Sequence, residues 1–359
     1  RRPRPRPNNR RPPGADHMTD LETVTTHEDA PPLAPTPGFV TEGPFVLLSR
    51  VAESAYWAGR YLERAETTAR LLRCHTDLFL DLPKSVGLGW WPLLAVLGTG
   101  EQFGRNHRHA TEEIVVGHLA CDRRADCSIM SSIAAVHENL RVTRPVMPAE
   151  AAEVLNELHR HVDGTVEQAL ERPTRIEWLT GVIRRCQTLN GLLLDTMSHD
   201  DCFSFFTIGR QLERADMTTR VLDVQAGVLM GRGGDQVEPF ADVCWASALR
   251  SLNAFDSFRR RHTGTSAETT LAFLLRDPQC PRSVEACITE ASRRLLELPN
   301  HEDAMAAGAA VEALLTHSDI DALIDGGLHD RVDVLQRAIG AIHDAVARTW
   351  FGNAAGAAA

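Results

Sequence analysis

Hydrophobic residues recur every three or four positions along most of the chain, which is the spacing of amphipathic α-helices. The pattern begins at Phe45, persists to about Phe351, and nowhere alternates residue by residue as a half-buried strand would. It predicts helices at residues 46–81, 111–120, 128–142, 148–171, 174–196, 200–230, 239–261, 267–275, 282–297, 301–315 and 329–350. Proline and glycine residues fall between these segments, where helices end. The predicted fold class is therefore all-α, as a single multi-helix bundle.

One charged string occurs twice within this pattern. The sequence GRYLERAETTARLL at Gly59–Leu72 returns as GRQLERADMTTRVL at Gly209–Leu222, and nine of the fourteen positions are identical. On a helix, the apolar residues of each copy form one stripe and the charged residues lie opposite. The fold is therefore expected to contain an internal repeat of an Arg-Glu-Arg helix.

The charged face of this helix has three interpretations. Glu63 has Arg60 three residues before it and Thr67 four residues after it, so local pairs on a solvated face are the first. Such pairs contribute only roughly 0.2–0.5 kcal/mol each. The close repeat instead favours two faces that point inward and meet, because buried carboxylates require charged, hydrogen-bonded partners. A ligand- or partner-binding role for the same Arg residues is the third interpretation.

Composition and charge limit the class of protein to which the chain can belong. The chain is 43% hydrophobic and 24% charged, which is ordinary for a globular protein, and its net charge is −10. Residues 1–17 carry six Arg and one Asp, so the remainder is more acidic than the total, which makes nucleic-acid binding unlikely. We expect a disordered Arg/Pro-rich leader at 1–44, one helical domain at 45–351 and a flexible tail at 352–359. Met18 leaves open whether residues 1–17 belong to the native protein.

The sequence carries no clear signal for a cofactor, a metal ion or a membrane span. The eight cysteines form no CxxC pair, and no apolar run approaches the roughly eighteen residues that span a membrane. His107 and His109 with Glu112 and Glu113 match no metal-binding motif, and the GRGGD string at 231–235 follows a predicted helix rather than a strand. We therefore expect a cytoplasmic protein with reduced thiols, no metal and no bound cofactor.

Several motifs in order along the chain resemble the bacterial alpha-E family, a helical domain with a repeated Glu-Arg motif. They are LLSRVAESAYWAGRYLERAETTARLL at Leu47–Leu72, SIMSSI at Ser128–Ile133, HENLR at His137–Arg141, LLLDTMSHDD at Leu192–Asp201, FFTIGRQLERAD at Phe205–Asp216, WASALRSLNAFDSFRRR at Trp245–Arg261 and FLLRDPQCPRSV at Phe273–Val284. The family usually has Asn-Pro-Ser-Ser-Ile where Ile129–Ile133 stands, and Arg-Glu-Asn-Ala-Arg where His137–Arg141 stands. These departures weaken the expectation for the Asn-Pro turn and the first Arg, but leave Glu138, Asn139 and Arg141 in place.

The resemblance implies partners more than chemistry. Members of the family accompany, or are fused to, a circularly permuted ATP-grasp-like protein, often with a transglutaminase-like protein nearby. The implied function is an accessory or substrate-holding component of an ATP-grasp-linked system that forms peptide or amide bonds. An enzyme in its own right, which forms or cleaves amides with Glu63 or Glu213 as general base, and a non-catalytic helical adaptor are the alternatives.

Arg-rich clefts bind carboxylates and phosphates through paired hydrogen bonds, so an acidic peptide or an acyl-phosphate is the expected ligand. The candidate binding residues are the Arg residues of the two strings together with polar residues of the other motifs: Arg60, Arg64, Arg70, Arg210, Arg214, Arg220, Glu138, Asn139, Arg141, Asp195 and Arg282. Catalysis by Cys202, which follows His199 and Asp200, is a weaker alternative, because the same residues suit the polar start of a helix.

Overall fold

A computed structural model describes residues 49–83, 86, 88–230 and 237–351. The expected leader at 1–44, the start of the first helix at 46–48, the GRGGD string at 231–235 and the tail at 352–359 lie outside the described residues. Within the described residues the fold is all-α and contains no β-strand, which confirms the predicted fold class.

Sixteen α-helices follow one another in the described part of the chain. The first eight are α1 (Ser49–Asp81), α2 (Trp91–Val96), α3 (Gly100–Asn106), α4 (Glu112–Ala120), α5 (Ile129–Val142), α6 (Ala149–Thr165), α7 (Glu167–Leu170) and α8 (Arg172–Thr196). The others are α9 (Asp201–Met230), α10 (Ala241–Ser251), α11 (Phe255–Arg259), α12 (Ala267–Arg276), α13 (Val284–Leu295), α14 (Glu302–Thr316), α15 (Ile320–Ala322) and α16 (Leu328–Trp350). Short 3₁₀ turns occupy Arg144–Val146 and Glu238–Phe240, and a π-helical turn at Leu323–Gly327 leads into α16.

Of the described helices, α1 and α9 are the two longest; they lie at the centre of the bundle and make the most extensive helix–helix contact among them. Helices α5 and α8 pack on α1, and α13 and α16 pack on α9. Apolar residues such as Leu62, Leu72, Leu212 and Leu222 are fully buried in one continuous core. The stripe that the sequence predicted on each repeated string therefore faces this core.

The contact between α1 and α9 depends on two glycines at equivalent positions of the repeated string. A Cβ atom on Gly59 would fall well inside van der Waals distance of the Phe206 carbonyl oxygen, and a Cβ atom on Gly209 would meet the Tyr56 carbonyl oxygen in the same way. The helices thus approach backbone to backbone with the two strings in register. Any residue other than glycine at these positions would force the two helices apart.

The flanking helices α5 and α13 dock on the central pair through equivalent bonds. The Thr68 hydroxyl on α1 donates to the carbonyl oxygen of Cys127 at 3.2 Å, and the Thr218 hydroxyl on α9 donates to that of Arg282 at 2.9 Å. Both flanking helices begin at an N-cap serine, Ser128 or Ser283, whose side chain accepts a backbone N–H bond. Each repeated string therefore anchors the start of one neighbouring helix.

Two predicted segments were wrong in detail, and two short helices were not predicted. Residues 239–261 are not one helix, since Asn253 adopts a positive φ of 54° and divides α10 from α11. Residues 148–171 break at Val166, between α6 and α7. Helices α2 and α3 were not predicted, because six or seven residues are too few to display a helical period and are held by burial of Leu93, Leu94 and Phe103.

Candidate functional site

The Glu213 cluster is the first of two ion-pair clusters at the α1–α9 contact. Arg60 Nε and Arg64 Nε donate to the two carboxylate oxygens of Glu213 at 2.6 Å each, and Arg64 Nη2 adds a bond of 3.1 Å. Arg60 Nη1 also donates to the Tyr56 hydroxyl at 3.1 Å, and this hydroxyl lies 2.9 Å from Nδ1 of His343 on α16. Arg residues of α1 therefore satisfy a fully buried carboxylate of α9.

The Glu63 cluster is the reciprocal arrangement. Arg214 Nη2 on α9 donates to Glu63 Oε2 at 2.7 Å, and Arg282, from the turn before α13, bonds Glu63 Oε1. Glu63 is 1% exposed, so its carboxylate has no contact with bulk water. The side chains that neutralise it come from elements more than 150 residues away along the chain.

A second carboxylate extends the Glu63 cluster by one helical turn. Glu66 Oε1 accepts bonds from Arg70 Nε at 3.0 Å and Arg70 Nη2 at 2.9 Å. Arg282 Nη2 and Gln187 Nε2 approach the same oxygen at 3.4 Å. Arg282 thus bridges Glu63 and Glu66, and α8 joins the network through Gln187.

The electrostatics of both central carboxylates follow one pattern. Burial by itself would raise the pKa of Glu63, but the positive charges of Arg214 and Arg282 outweigh burial and hold that pKa well below its usual range. The pKa of Glu213 is likewise lowered, since attraction and hydrogen bonds from its two Arg partners overcome the effect of burial. Both groups are ionised at neutral pH.

Positive charge is in excess around Glu63 and Glu66. Arg70, Arg210, Arg214 and Arg282 surround these two carboxylates, and within the described residues Arg210 forms no ion pair. Its Nη1 donates instead to Asn190 Oδ1 at 2.6 Å, and its buried Nε has no hydrogen-bond partner there. Burial and then repulsion from Arg214 lower the pKa of Arg210 to about 10. This cluster is short of negative charge.

A cavity of about 450 Å³, here the Arg282 cavity, opens beside the Glu63 cluster. Its lining residues are Glu66, Gln187, Asn190, Gly191, Leu194, Arg214, Asn253, Ser257, Pro281 and Arg282. The side chains of Arg214 and Arg282 are each 9% exposed. A ligand in this cavity would meet two guanidinium groups and the amide of Asn190, which is a suitable set for a carboxylate or a phosphate.

The structure corrects the expected local pairing. Arg60 does not pair with Glu63 three residues away, but with Glu213 across the helix contact. Only Thr67 meets Glu63 locally, at 3.5 Å. The charged faces point inward and meet, as the second interpretation predicted.

The other predicted binding residues lie apart from this site. Glu138 and Arg141 form an exposed pair on α5, and Asn139 donates to the Ala135 carbonyl oxygen. Asp195 is exposed near the end of α8. Arg220 pairs with Asp216 at 2.9 Å, one turn beyond the Glu213 cluster.

Sequence reasoning missed Glu66, Gln187 and Asn190. Glu66 corresponds to Asp216 in the second string, so both copies carry a carboxylate at this position, and this shared charge is the signal that could have identified Glu66. Gln187 and Asn190 lie on α8, which carries no repeated motif, and only its packing on α1 brings them to the cluster. A helical wheel of α8 would have placed them on one face, with no indication of which helix that face meets.

Among the residues that the structure describes, the cysteines and histidines show no arrangement that favours nucleophilic or metal chemistry. Cys202 is buried, and burial together with Asp200 and Asp201 raises the pKa of its thiol to about 12. Glu112, from the His/Glu segment noted in the sequence, pairs with Arg172 and Arg175. Across the described ranges, no group of three or more His, Cys, Asp or Glu residues is arranged to hold a metal ion.

No described helix combines the length and the apolar character that crossing a membrane requires.

Comparison with known proteins gives one family and a few relatives. The family model that matches residues 47–351 is Alpha-E, described as a predicted alpha-helical domain with a conserved ER motif. An uncharacterised protein of Mycobacterium bovis is 25% identical over 300 residues, which cover 75% of this chain and 32% of the relative. Two uncharacterised proteins from strains of Mycobacterium tuberculosis match with 25% and 24% identity over the same coverage. The chain thus spans about a third of the length of these relatives, and no solved structure gives a significant match.

Proposed function

Since the chain belongs to the Alpha-E family, we propose that it is the substrate-holding component of an ATP-grasp-linked system that forms peptide or amide bonds. In this proposal the partner is a circularly permuted ATP-grasp-like protein, with a transglutaminase-like protein as a further associate, and the complex works in the cytoplasm. The matched relatives continue far beyond the region that they share with this chain, which is in keeping with a domain that acts beside others.

The observation that carries the proposal is the excess of buried positive charge beside the Arg282 cavity. Four Arg side chains surround two carboxylates, and two of them, Arg214 and Arg282, reach the cavity surface. A carboxylate of an acidic peptide, or an acyl-phosphate made by the partner, would supply the missing negative charge. Because Arg214 and Arg282 are already fixed by Glu63, the ligand would not need to order them.

The same geometry favours a holding role over a catalytic one for Glu63 and Glu213. A general base needs a pKa near the working pH and a path to the proton that it removes. Both carboxylates are saturated by Arg hydrogen bonds and buried, and their pKa values are lowered rather than raised. We therefore assign them the task of positioning the Arg residues.

The variant Asn190→Asp tests anion binding without removing any existing contact. It places a carboxylate at the position where Asn190 Oδ1 accepts from Arg210, so we expect unchanged or higher stability but about tenfold weaker binding of an anion, or about 1.4 kcal/mol. The probe is a fluorescently labelled triglutamate peptide, with binding followed by anisotropy. Asn156→Asp adds the same charge at an exposed position on α6 and should bind the probe like the wild type. Equal affinity in both variants would contradict an anion site at Asn190.

The partnership needs a separate measurement. Affinity capture of the tagged protein from its native cells, followed by mass spectrometry, should recover an ATP-grasp protein in stoichiometric amount. The variant Asn190→Asp, which is expected to keep its stability, should recover it equally if the Arg282 cavity serves the substrate alone, and should fail to recover it if the cavity also serves docking. Failure of the wild type to recover any ATP-grasp protein would remove the ligation system from the proposal, whatever the triglutamate result.

A further inference from the structure

A second cavity, of about 430 Å³, adjoins the first and shares Asn253 with it. It is here named the Arg250 cavity, and its lining residues are Arg70, Arg73, Cys74, Asp77, Ile183, Arg250, Asn253, Phe255 and Asp256. Helix α1 supplies one wall, and the turn between α10 and α11 supplies the opposite wall.

The charges of this cavity are of both signs and do not neutralise one another. Arg73 and Arg250 form no ion pair within the described residues, and neither does Asp77. Asp256 has only Arg259, at 3.7 Å, outside the cavity. The buried Nε of Arg73 lacks a hydrogen-bond partner in the described structure. Arg73, Asp77 and Arg250 thus line one space without forming an ion pair, and Asp256, whose side chain is 84% exposed, lies at its solvent side.

Arg73 and Asp77 have the sequence spacing of an ion pair but do not form one in the described structure. Arg73 and Asp77 are four residues apart on α1, which is the spacing of a helical ion pair, and the same helix forms such a pair between Glu66 and Arg70. Since Arg73 and Asp77 point to the cavity without meeting, a small occupant that carries both charges would satisfy them together. An ammonium group suits Asp77 and Asp256, and a carboxylate suits Arg73 and Arg250.

The remaining lining indicates the rest of such a ligand. Ile183, Cys74 and Phe255 give the cavity an apolar side, and the Arg250 guanidinium lies 4.4 Å from the centre of the Phe255 ring. Asn253, at the junction of both cavities, has the left-handed φ of 54° with which asparagine commonly ends a helix.

We propose that the Arg250 cavity binds a small zwitterion with an apolar side chain, either a free α-amino acid or a short peptide with both ends free. Arg73 and Arg250 hold its carboxylate, Asp77 and Asp256 hold its ammonium group, and Ile183 and Phe255 contact its side chain. This site uses residues that the Arg282 cavity does not share, apart from Asn253, and it needs no ATP-grasp partner.

Ligands with one blocked end provide the first test. Saturation-transfer NMR on the full chain should detect binding of L-leucine or of L-leucyl-L-leucine, and the stronger of the two identifies the amino acid or the peptide as the ligand class. N-acetyl-L-leucine lacks the ammonium group and L-leucinamide lacks the carboxylate, so each should bind about tenfold more weakly than L-leucine. Equal binding of N-acetyl-L-leucine would overturn the proposal in favour of a simple anion site, and absence of binding by every probe would overturn it altogether.

Surface variants provide the second test. Arg250 and Asp256 are exposed, so Arg250→Gln and Asp256→Asn should fold normally, as circular dichroism can check, and each should weaken binding of the zwitterion about fivefold. Arg260→Gln is the matched control, because Arg260 is exposed directly after the same short helix, forms no ion pair within the described residues and does not line the cavity. An equal loss of binding in the control variant would attribute the effect to general surface charge and would contradict the assigned roles. Asn190→Asp should leave binding of L-leucine unchanged, so failure of this site and failure of the triglutamate site are distinguishable.

Discussion

Each of the two central carboxylates depends on guanidinium groups that belong mainly to the other helix. Glu63 has Arg214 and Arg282, and Glu213 has Arg60 and Arg64. A buried ion pair adds little stability over an apolar pair of the same shape, but loss of one partner leaves the other charged and out of water. The ion pairs are therefore required for α1 and α9 to pack correctly, although they add little net stability.

Neutralising either carboxylate should be costly. For Glu63→Gln or Glu213→Gln we expect the free energy of unfolding to fall by about 3–5 kcal/mol, because two Arg side chains lose their buried counter-ion. Urea unfolding followed by circular dichroism measures this change. Glu138→Gln is the control, since Glu138 also pairs with an Arg but is exposed, and its unfolding midpoint should not move. A Glu63 variant as stable as this control would mean that the buried charges are not needed.

How far the sequence predicts this site differs from residue to residue. The repeat identified Glu63, Glu213 and their neighbouring Arg residues, because an invariant spacing of charges on two helices is visible without coordinates. The ion-pair partners of these carboxylates could not be assigned from the sequence. Helical spacing favours a pair between Arg60 and Glu63, but Arg60 actually bonds Glu213 on the other helix. Pairing between distant segments depends on how the helices meet, and the local spacing of residues gives no information about that.

At the scale of the helices, the close approach of α1 and α9 fixes everything else in the site. Gly59 and Gly209 bring the backbones together, and only at that separation do the guanidinium groups of one helix reach the carboxylate of the other. The helices themselves were predictable from apolar periodicity. The break at Asn253 was not, because the apolar pattern continues through it and only the backbone turn interrupts the helix.

Adding one methyl group at the contact should force the helices apart. We expect Gly59→Ala or Gly209→Ala to lower the free energy of unfolding by about 1–3 kcal/mol or more, since the obstacle is a carbonyl oxygen of the opposite backbone. Gly227→Ala on α9 is the control, because a Cβ atom there meets nothing within 4 Å. Alanine at that helical position should be neutral or stabilising by up to about 1 kcal/mol. Similar thermal unfolding midpoints for all three variants would show that the glycines are not required.

At the scale of the whole molecule, the two clusters make the free energy of unfolding depend on pH. The pKa of Glu63 is lowered from 4.5 to about 2 in the folded protein, so its contribution is fully present above pH 4.5 and is lost as the pH falls towards 2. The pKa of Glu213 is also lowered, which gives a contribution of the same sign.

Urea midpoints measured from neutral pH down to about pH 3 should therefore fall steeply in the wild type and less steeply in Glu63→Gln, which has lost one of the responsible carboxylates. Glu157→Gln, at an exposed position on α6, should follow the wild type. A Glu63→Gln profile parallel to that of the wild type would assign acid sensitivity to other groups.

The register of the two central helices also determines when this protein can fold. The residues that neutralise Glu63 lie more than 150 positions downstream, so a chain still emerging from the ribosome exposes the first string long before its counterpart exists. Helices α5 and α8 can pack on α1 earlier, but the face of α1 that meets α9 stays in water until α9 and the start of α13 have been synthesised. Completion of the core is then a late event that closes a long loop, so we expect folding to be slow for an all-helical protein.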